Sequence, residues 1–201
     1  EMIMEAAGRG AHLVVLPEMF NCPYQARLFL EYAESFPEGP SVRMLAGLAR
    51  ARRIYVVGGS IPERAGDCVY NTSFIFGPEG ELLGRHRKIH LFDVDLPGGV
   101  RVQESSTLSA GSEMTVISTD LCRLGVAVCY DIRFPELFRL MALGGAQVIA
   151  VPAAFNLTTG PAHWKITFRV RAVDNQLYLV GASPARDESS GYVAYGHSLV
   201  V

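Results

Sequence analysis

The sequence predicts a single α/β domain, and three observations carry that expectation. Short apolar runs alternate with helical stretches along nearly the whole chain. A Gly77-Pro78-Glu79-Gly80 break between two strand-like runs signals a hairpin, so the sheets are not purely parallel. Hydrophobic residues make up 49% of the 201 positions, which is enough for a sizeable core. No linker, repeat or low-complexity segment interrupts residues 1–201, which are therefore expected to form one domain.

The elements follow in order. Residues 1–7 are helix-like, and 12–16 form a short apolar run that Pro17 ends, the pattern of a buried strand. Residues 25–35 and 41–53 read as helices. The second has Pro40 and Ser41 at its start and basic residues in its last turn. Residues 54–60 are a strand, and 71–76 and 81–87 are the arms of the hairpin. Residues 124–129 form another apolar strand. A helix then runs from about Pro135, a favoured first helical residue, to the Gly144-Gly145 stop. A strand at 147–152, a helix at 161–175 and a strand at 178–182 complete the alternation. The chain starts within a helix-like stretch and stops in the apolar run Leu199-Val200-Val201. Both ends are therefore expected to be cut from a longer domain, since a sheet ended in mid-strand leaves backbone groups without partners.

Composition excludes several functions. A net charge of -2 and a pI near 6.2 give no electrostatic footprint for nucleic acid or an anionic membrane. No apolar run approaches the roughly 18 residues of a membrane span. Charged residues are only 19%, which points to a buried sheet or an extensive subunit contact. The four cysteines, Cys22, Cys68, Cys122 and Cys129, show no CxxC or Cys/His metal spacing. A chain this long does not need disulfides, so reduced thiols in a cytosolic-type compartment are expected, with no metal and no cofactor. The triplets Asn71-Thr72-Ser73 and Asn156-Leu157-Thr158 match the glycosylation pattern by chance and carry no weight.

Three strand-like segments end in a reactive side chain: 12–17 at Glu18, 82–87 at Lys88 and 124–128 at Cys129. Strand ends in α/β folds open into the functional crevice. Singly, each residue has an ordinary explanation: a small buried hydrophobe for the cysteine, a solvated carboxylate, and one lysine in a basic surface run. Together they supply complementary jobs. A thiol is mostly protonated at neutral pH and needs a base, and acyl transfer needs a cationic or N–H donor for the oxyanion. Arg133, four residues past the cysteine, is a candidate for binding a substrate carboxylate, the alternative being a surface ion pair with Glu136. For His163, beside Trp164 at a helix start, a structural role is expected.

The segments Leu16-Pro17-Glu18, 87–93 (RKIHLFD) and 125–136 (GVAVCYDIRFPE) resemble the three signature blocks of the nitrilase, or carbon–nitrogen hydrolase, superfamily, in that family's order. The resemblance implies a four-layer αββα sandwich, commonly paired as a homodimer through a helical face, and lacking here the first strand and the C-terminal segment. It implies a Glu18-Lys88-Cys129 triad with Glu104 as a second glutamate. Glu18 would be base and acid, and Lys88 and the Tyr130 backbone N–H would hold the oxyanion. Residues 20–24 (FNCPY), 154–164 (AFNLTTGPAHW) and 183–187 (SPARD) further resemble the omega-amidase branch. That branch implies hydrolysis of alpha-ketoglutaramate and alpha-ketosuccinamate to the keto-diacid and ammonia, through a cysteine thioester, in the cytoplasm or also in mitochondria. Phe155 and Tyr24 resemble residues that wall the family's pocket. Three alternatives stand beside this reading. The chain is an amidase for deaminated glutathione or another small amide, a catalytically idle subunit acting through its dimer surface, or a redox sensor in which Cys122 resolves Cys129.

Overall fold

The computed structural model describes residues 1–96 and 100–201. Helix α1 (Met2–Gly8) leads into strand β1 (Leu13–Val15), the one-turn helix α2 (Ala26–Phe29), strand β2 (Glu34–Ser35) and helix α3 (Pro40–Arg52). Strands β3 (Tyr55–Val57), β4 (Ile61–Ala65), β5 (Cys68–Phe76) and β6 (Leu82–Arg87) follow, then β7 (Asp93–Leu96) and β8 (Val100–Gln103). Strands β9 (Thr115–Ser118) and β10 (Arg123–Val126) precede helix α4 (Pro135–Leu143). Strand β11 (Val148–Pro152), helix α5 (Thr159–Asn175), β12 (Tyr178–Ala182) and β13 (Leu199–Val200) come last. Short 3-10 turns occupy Glu104–Ser106 and Cys129–Arg133.

The strands build two main sheets. The first has the order β1-β3-β5-β4-β2 with β6 also paired to β5, and the second runs β13-β12-β11-β10-β9. Strands β10, β11 and β12 are mutually parallel, whereas β4, β5 and β6 are antiparallel, as the hairpin signal requires. Strands β7 and β8 form a separate antiparallel pair.

Three apolar layers join these parts. Val42, Leu45 and Ala49, one stripe of α3, pack with Ile3 of α1 against Val56, Phe74 and Phe76 of the first sheet. Val57 and Ile75 meet Leu124, Val126 and Ala150 between the sheets. Leu137, Phe138 and Met141 of α4 and Trp164 and Phe168 of α5 cover the far side of the second sheet, on Ile149 and Leu179. Helix, sheet, sheet, helix is thus the observed stacking. The helix signals were sound: Pro40 and Pro135 open α3 and α4, and Arg53 closes α3 in the left-handed region.

Two elements differ from expectation. The helix expected over 25–35 is a single turn followed by β2. There the Glu34 carboxylate accepts the Ser41 N–H (2.8 Å) and hydroxyl (2.5 Å), and Glu34 and Ser35 pair with Glu63 and Arg64 of β4. Tertiary pairing outweighs local propensity in that stretch. The strand expected to run to Cys129 ends at Val126, because Cys129 has φ +45°, which no strand accommodates. Strands β4, β7, β8 and β9 were not expected, whereas β13 falls in the apolar run at the end of the chain.

Candidate active site

The turn after β1 carries Glu18. Its path depends on Gly59, at φ +56°, where a Cβ would lie 2.1 Å from the Pro17 carbonyl oxygen. With no side chain there, the Ser60 N–H donates to the Pro17 carbonyl (3.2 Å) and the Met19 N–H donates to the Ser60 hydroxyl (3.1 Å). Lys88 directly follows β6, and its N–H donates to the Asn71 carbonyl on β5 (2.8 Å). Side chains alternate along β6: Arg85 and Arg87 face outward onto Glu63, while His86 and Lys88 face inward and are fully buried. Cys129 sits on a sharp elbow past β10. Its left-handed backbone costs a non-glycine residue about 1–3 kcal/mol and persists only where neighbours enforce it.

These elements bring Glu18, Lys88 and Glu104 together. The Lys88 ammonium donates to Glu18 Oε1 (2.9 Å) and lies 3.0 and 2.9 Å from Glu104 Oε1 and Oε2. Glu18 Oε1 also accepts from the Asn71 amide (2.9 Å), and its Oε2 from the Ala154 N–H (3.0 Å). Glu104 accepts the Tyr24 hydroxyl at Oε1 (2.7 Å) and the Phe92 N–H at Oε2 (2.7 Å). Cys129 is buried beside this cage, within reach of the Glu18 and Lys88 charges. Glu18 is 1% exposed, and Lys88 and Glu104 are fully buried, so every charge in this cage is satisfied by another protein group.

Burial sets the proton affinities. It pushes the Glu18 carboxyl up, against the opposing charge of Lys88 and with the help of Glu104. Burial alone would lower the Lys88 ammonium, but the Glu104 and Glu18 charges outweigh it and hold Lys88 well above the usual lysine value. Burial, and then the Glu18 charge, push the Cys129 thiol well up, with Lys88 opposing. At rest the site therefore holds a neutral thiol beside a base and a permanent cation.

The 3-10 turn that begins at Cys129 carries Tyr130 and Arg133. Among the described residues, the Tyr130 N–H donates to no carbonyl, as expected for the first turn of a helix. Arg133 makes none of the ion pairs found among the described residues, Glu136 included. Its Nη2 donates to His163 Nδ1 (2.9 Å), and its Cζ lies 5.2 Å from the Phe155 ring centroid. Cys129, Arg133, Phe155, Asn156 and Tyr192 line a narrow cleft of about 20 Å³. Tyr24 lies instead on a neighbouring cavity of about 350 Å³ that borders Glu18, Cys22 and Ala154. Tyr192 and Ala154 line both spaces, and the Tyr192 hydroxyl donates to the Ala154 carbonyl.

Sequence reasoning missed Asn71, Tyr192 and the Arg133 contact of His163. Asn71 was visible only as part of a chance glycosylation triplet. Asn156, in the second such triplet, accepts the Thr158 and Thr159 N–H groups at the start of α5. Among the described residues no group of three or more His, Cys, Asp or Glu side chains could hold a metal ion, and no helix is long and apolar enough to cross a membrane.

The carbon-nitrogen hydrolase family model matches residues 1–201. The chain is 56% identical over 200 residues to the omega-amidase NIT2 of Danio rerio, covering 100% of this chain and 72% of that protein. It is 54% identical over 199 residues to the omega-amidase NIT2 of Homo sapiens, covering 99% and 72%. Among solved structures, Saccharomyces cerevisiae Nit3, a member of the nitrilase superfamily, matches with a TM-score of 0.91 and 46% identity, covering 100% of this chain and 73% of that one. A mutant amidase from Nesterenkonia sp. AN1, with acrylamide added at its active-site cysteine, matches with a TM-score of 0.82 and 29% identity, covering 99% and 75%.

Proposed function

Because the chain belongs to the carbon–nitrogen hydrolase family and is an amidohydrolase, we propose that it cleaves short monoamides bearing a free carboxylate. Alpha-ketoglutaramate and alpha-ketosuccinamate are the substrates, and the keto-diacid and ammonia are the products. The observation that carries this reading is Arg133. A guanidinium with no carboxylate partner among the described residues lines the same cleft as Cys129, and such a group grips a carboxylate through paired N–H donors.

The chemistry follows from the proton affinities. Glu18 takes the thiol proton as the Cys129 sulfur bonds to the amide carbon, because a thiol held well above its usual pKa is not ionised beforehand. The carbonyl oxygen gains the negative charge and receives the Lys88 ammonium and the Tyr130 N–H. Lys88 acts as a fixed charge and not as a base, since two carboxylates keep its proton in place. Collapse breaks the C–N bond, Glu18 returns its proton to the nitrogen, and ammonia leaves a thioester. Water then attacks the thioester while Glu18 takes a proton, and the acid and the free thiol are restored. Glu104 holds Lys88 and Tyr24 in place.

The test compares amides of matched length. Arg133→Gln should raise the KM for alpha-ketosuccinamate or succinamate about tenfold to a hundredfold, the scale for a charge-assisted hydrogen bond of about 1.5–3 kcal/mol. A neutral amide should be a slow substrate for both forms. Equal damage to anionic and neutral amides would make Arg133 a structural support of the Cys129 turn. A wild-type preference for the neutral amide, or for deaminated glutathione, would overturn the substrate assignment.

Homodimer formation through the helical face is part of the same proposal. Leu143 on α4 and Val173 on α5 are 76% and 75% exposed, and Leu140, Ile166 and Val170 extend the apolar face between them. Sedimentation at graded concentrations, with Val173→Glu as the disrupting variant, tests it. A monomeric wild-type protein would overturn it.

A further inference from the structure

Asp131 is fully buried two residues past Cys129, and no step of the proposed reaction uses it. Its carboxylate accepts four hydrogen bonds. Oδ2 takes the Val128 N–H (2.9 Å) and lies 3.0 Å from His86 Nε2, while Oδ1 takes the His90 N–H (2.9 Å) and lies 2.8 Å from His90 Nδ1. His86 is two residues before Lys88 and His90 two residues after it. Val128 directly precedes the nucleophile and continues from β10 of the second sheet, whereas His86 belongs to β6 of the first. One carboxylate therefore fastens both flanks of the lysine to the backbone of the cysteine elbow, across two sheets.

The partners are themselves held. His86 Nδ1 is 3.1 Å from the Thr115 hydroxyl on β9, and the His90 ring stacks on Phe134 with centroids 3.5 Å apart. We propose that Asp131 is a positioning residue that sets the separation between the Cys129 sulfur and the Lys88 ammonium. The need is physical. The left-handed turn at Cys129 is not self-sustaining, and the Val128 N–H bond to Asp131 is the side-chain tie beside it. An oxyanion donor works only where the oxyanion forms, and a misplacement of about 1 Å costs about a hundredfold. Burial would favour the neutral acid at Asp131, but the bonds from His86, His90 and Val128 outweigh it and keep the group ionised.

The inference rests on Cys129 being the nucleophile, and Asp131→Asn tests it. Whichever way the new amide turns, its NH2 faces the backbone N–H of Val128 or of His90, so one tie is lost. At a temperature well below the variant's melting point, kcat should fall about tenfold to a hundredfold while KM stays within about threefold. Alkylation of Cys129 by iodoacetamide, followed by mass on the Cys129 peptide, should slow in parallel without any substrate present. A folded Asp131→Asn enzyme with wild-type kcat and alkylation rate, and only a lower Tm, would overturn the proposal. Should that variant not fold, His90→Asn and His90→Leu decide, because Asn keeps a donor where Nδ1 was and Leu does not. His90→Asn should exceed His90→Leu several-fold in kcat and alkylation, and equal rates overturn the proposal. Full activity in Cys129→Ala would instead fail the nucleophile reading on its own.

Discussion

The two sides of Cys129 treat charge in opposite ways. On one side, Lys88 is fixed between Glu18 and Glu104, out of solvent, with Asn71, Tyr24 and two backbone N–H groups taking up the remaining acceptor capacity. On the other, Arg133 is half-buried and has an imidazole edge and an aromatic face for company, but no carboxylate among the described residues. The difference separates two tasks. Groups that make and break bonds need fixed positions and proton affinities, so protein partners saturate them. A group that recognises a ligand must keep its strongest bond open until the ligand arrives.

Several experiments break or sharpen this contrast. The largest effect is expected at Cys129: Cys129→Ala should abolish turnover and any acyl-enzyme mass adduct. Alanine at Cys22, Cys68 or Cys122 should leave most activity, and a fully active Cys129→Ala would end the mechanism. Next comes Lys88→Met, expected to lower kcat at least about a hundredfold, the scale for removing one oxyanion donor. Arg85→Met and Arg87→Met remove partners of Glu63 on the outer face of β6, so they should lower the Tm with little change in kcat per folded enzyme. Equal kcat losses at all three positions would turn the cage into a diffuse basic surface.

Acidity sharpens the same contrast. Glu18 must be a carboxylate to accept the thiol proton, and its pKa is raised by burial. The acid limb of kcat/KM should therefore lie above the ordinary glutamate value of about 4.3, with activity falling about tenfold for each pH unit below it. A limb at or below that value would mean that Glu18 is not the base.

The catalytic side was the more legible in sequence. Glu18 and Cys129 each follow an apolar run and Lys88 closes a strand-like run, local patterns that survive in one dimension. Alternation over Arg85-His86-Arg87-Lys88 sets Lys88 on the face opposite Arg85 and Arg87, and the fold decides that this face is the buried one. Asn71 and Asp131 were not legible as site residues, because their contacts depend on how β5 meets the Glu18 turn and how the second sheet registers on β6. The same holds for β2, whose pairing with β4 no local signal announces. Tyr24, which resemblance alone assigned to the pocket wall, lines the cavity that borders Glu18, and its hydroxyl bond to Glu104 had no signal in the sequence.

The complete burial of the Glu18-Lys88-Glu104 cage has a consequence for ionic strength. Dissolved ions screen charges through the solvent, over about 8 Å at physiological salt, and they have no access to a lysine that is 0% exposed. Arg133, which must meet its ligand from water, has no such insulation. Raising sodium chloride should therefore increase the KM for an anionic amide by a few-fold while kcat stays constant, and a neutral amide should respond in neither constant. Salt would then act as a control on the entrance to the site that leaves the reaction within it untouched, and a parallel fall in kcat would show that the cage is open to water.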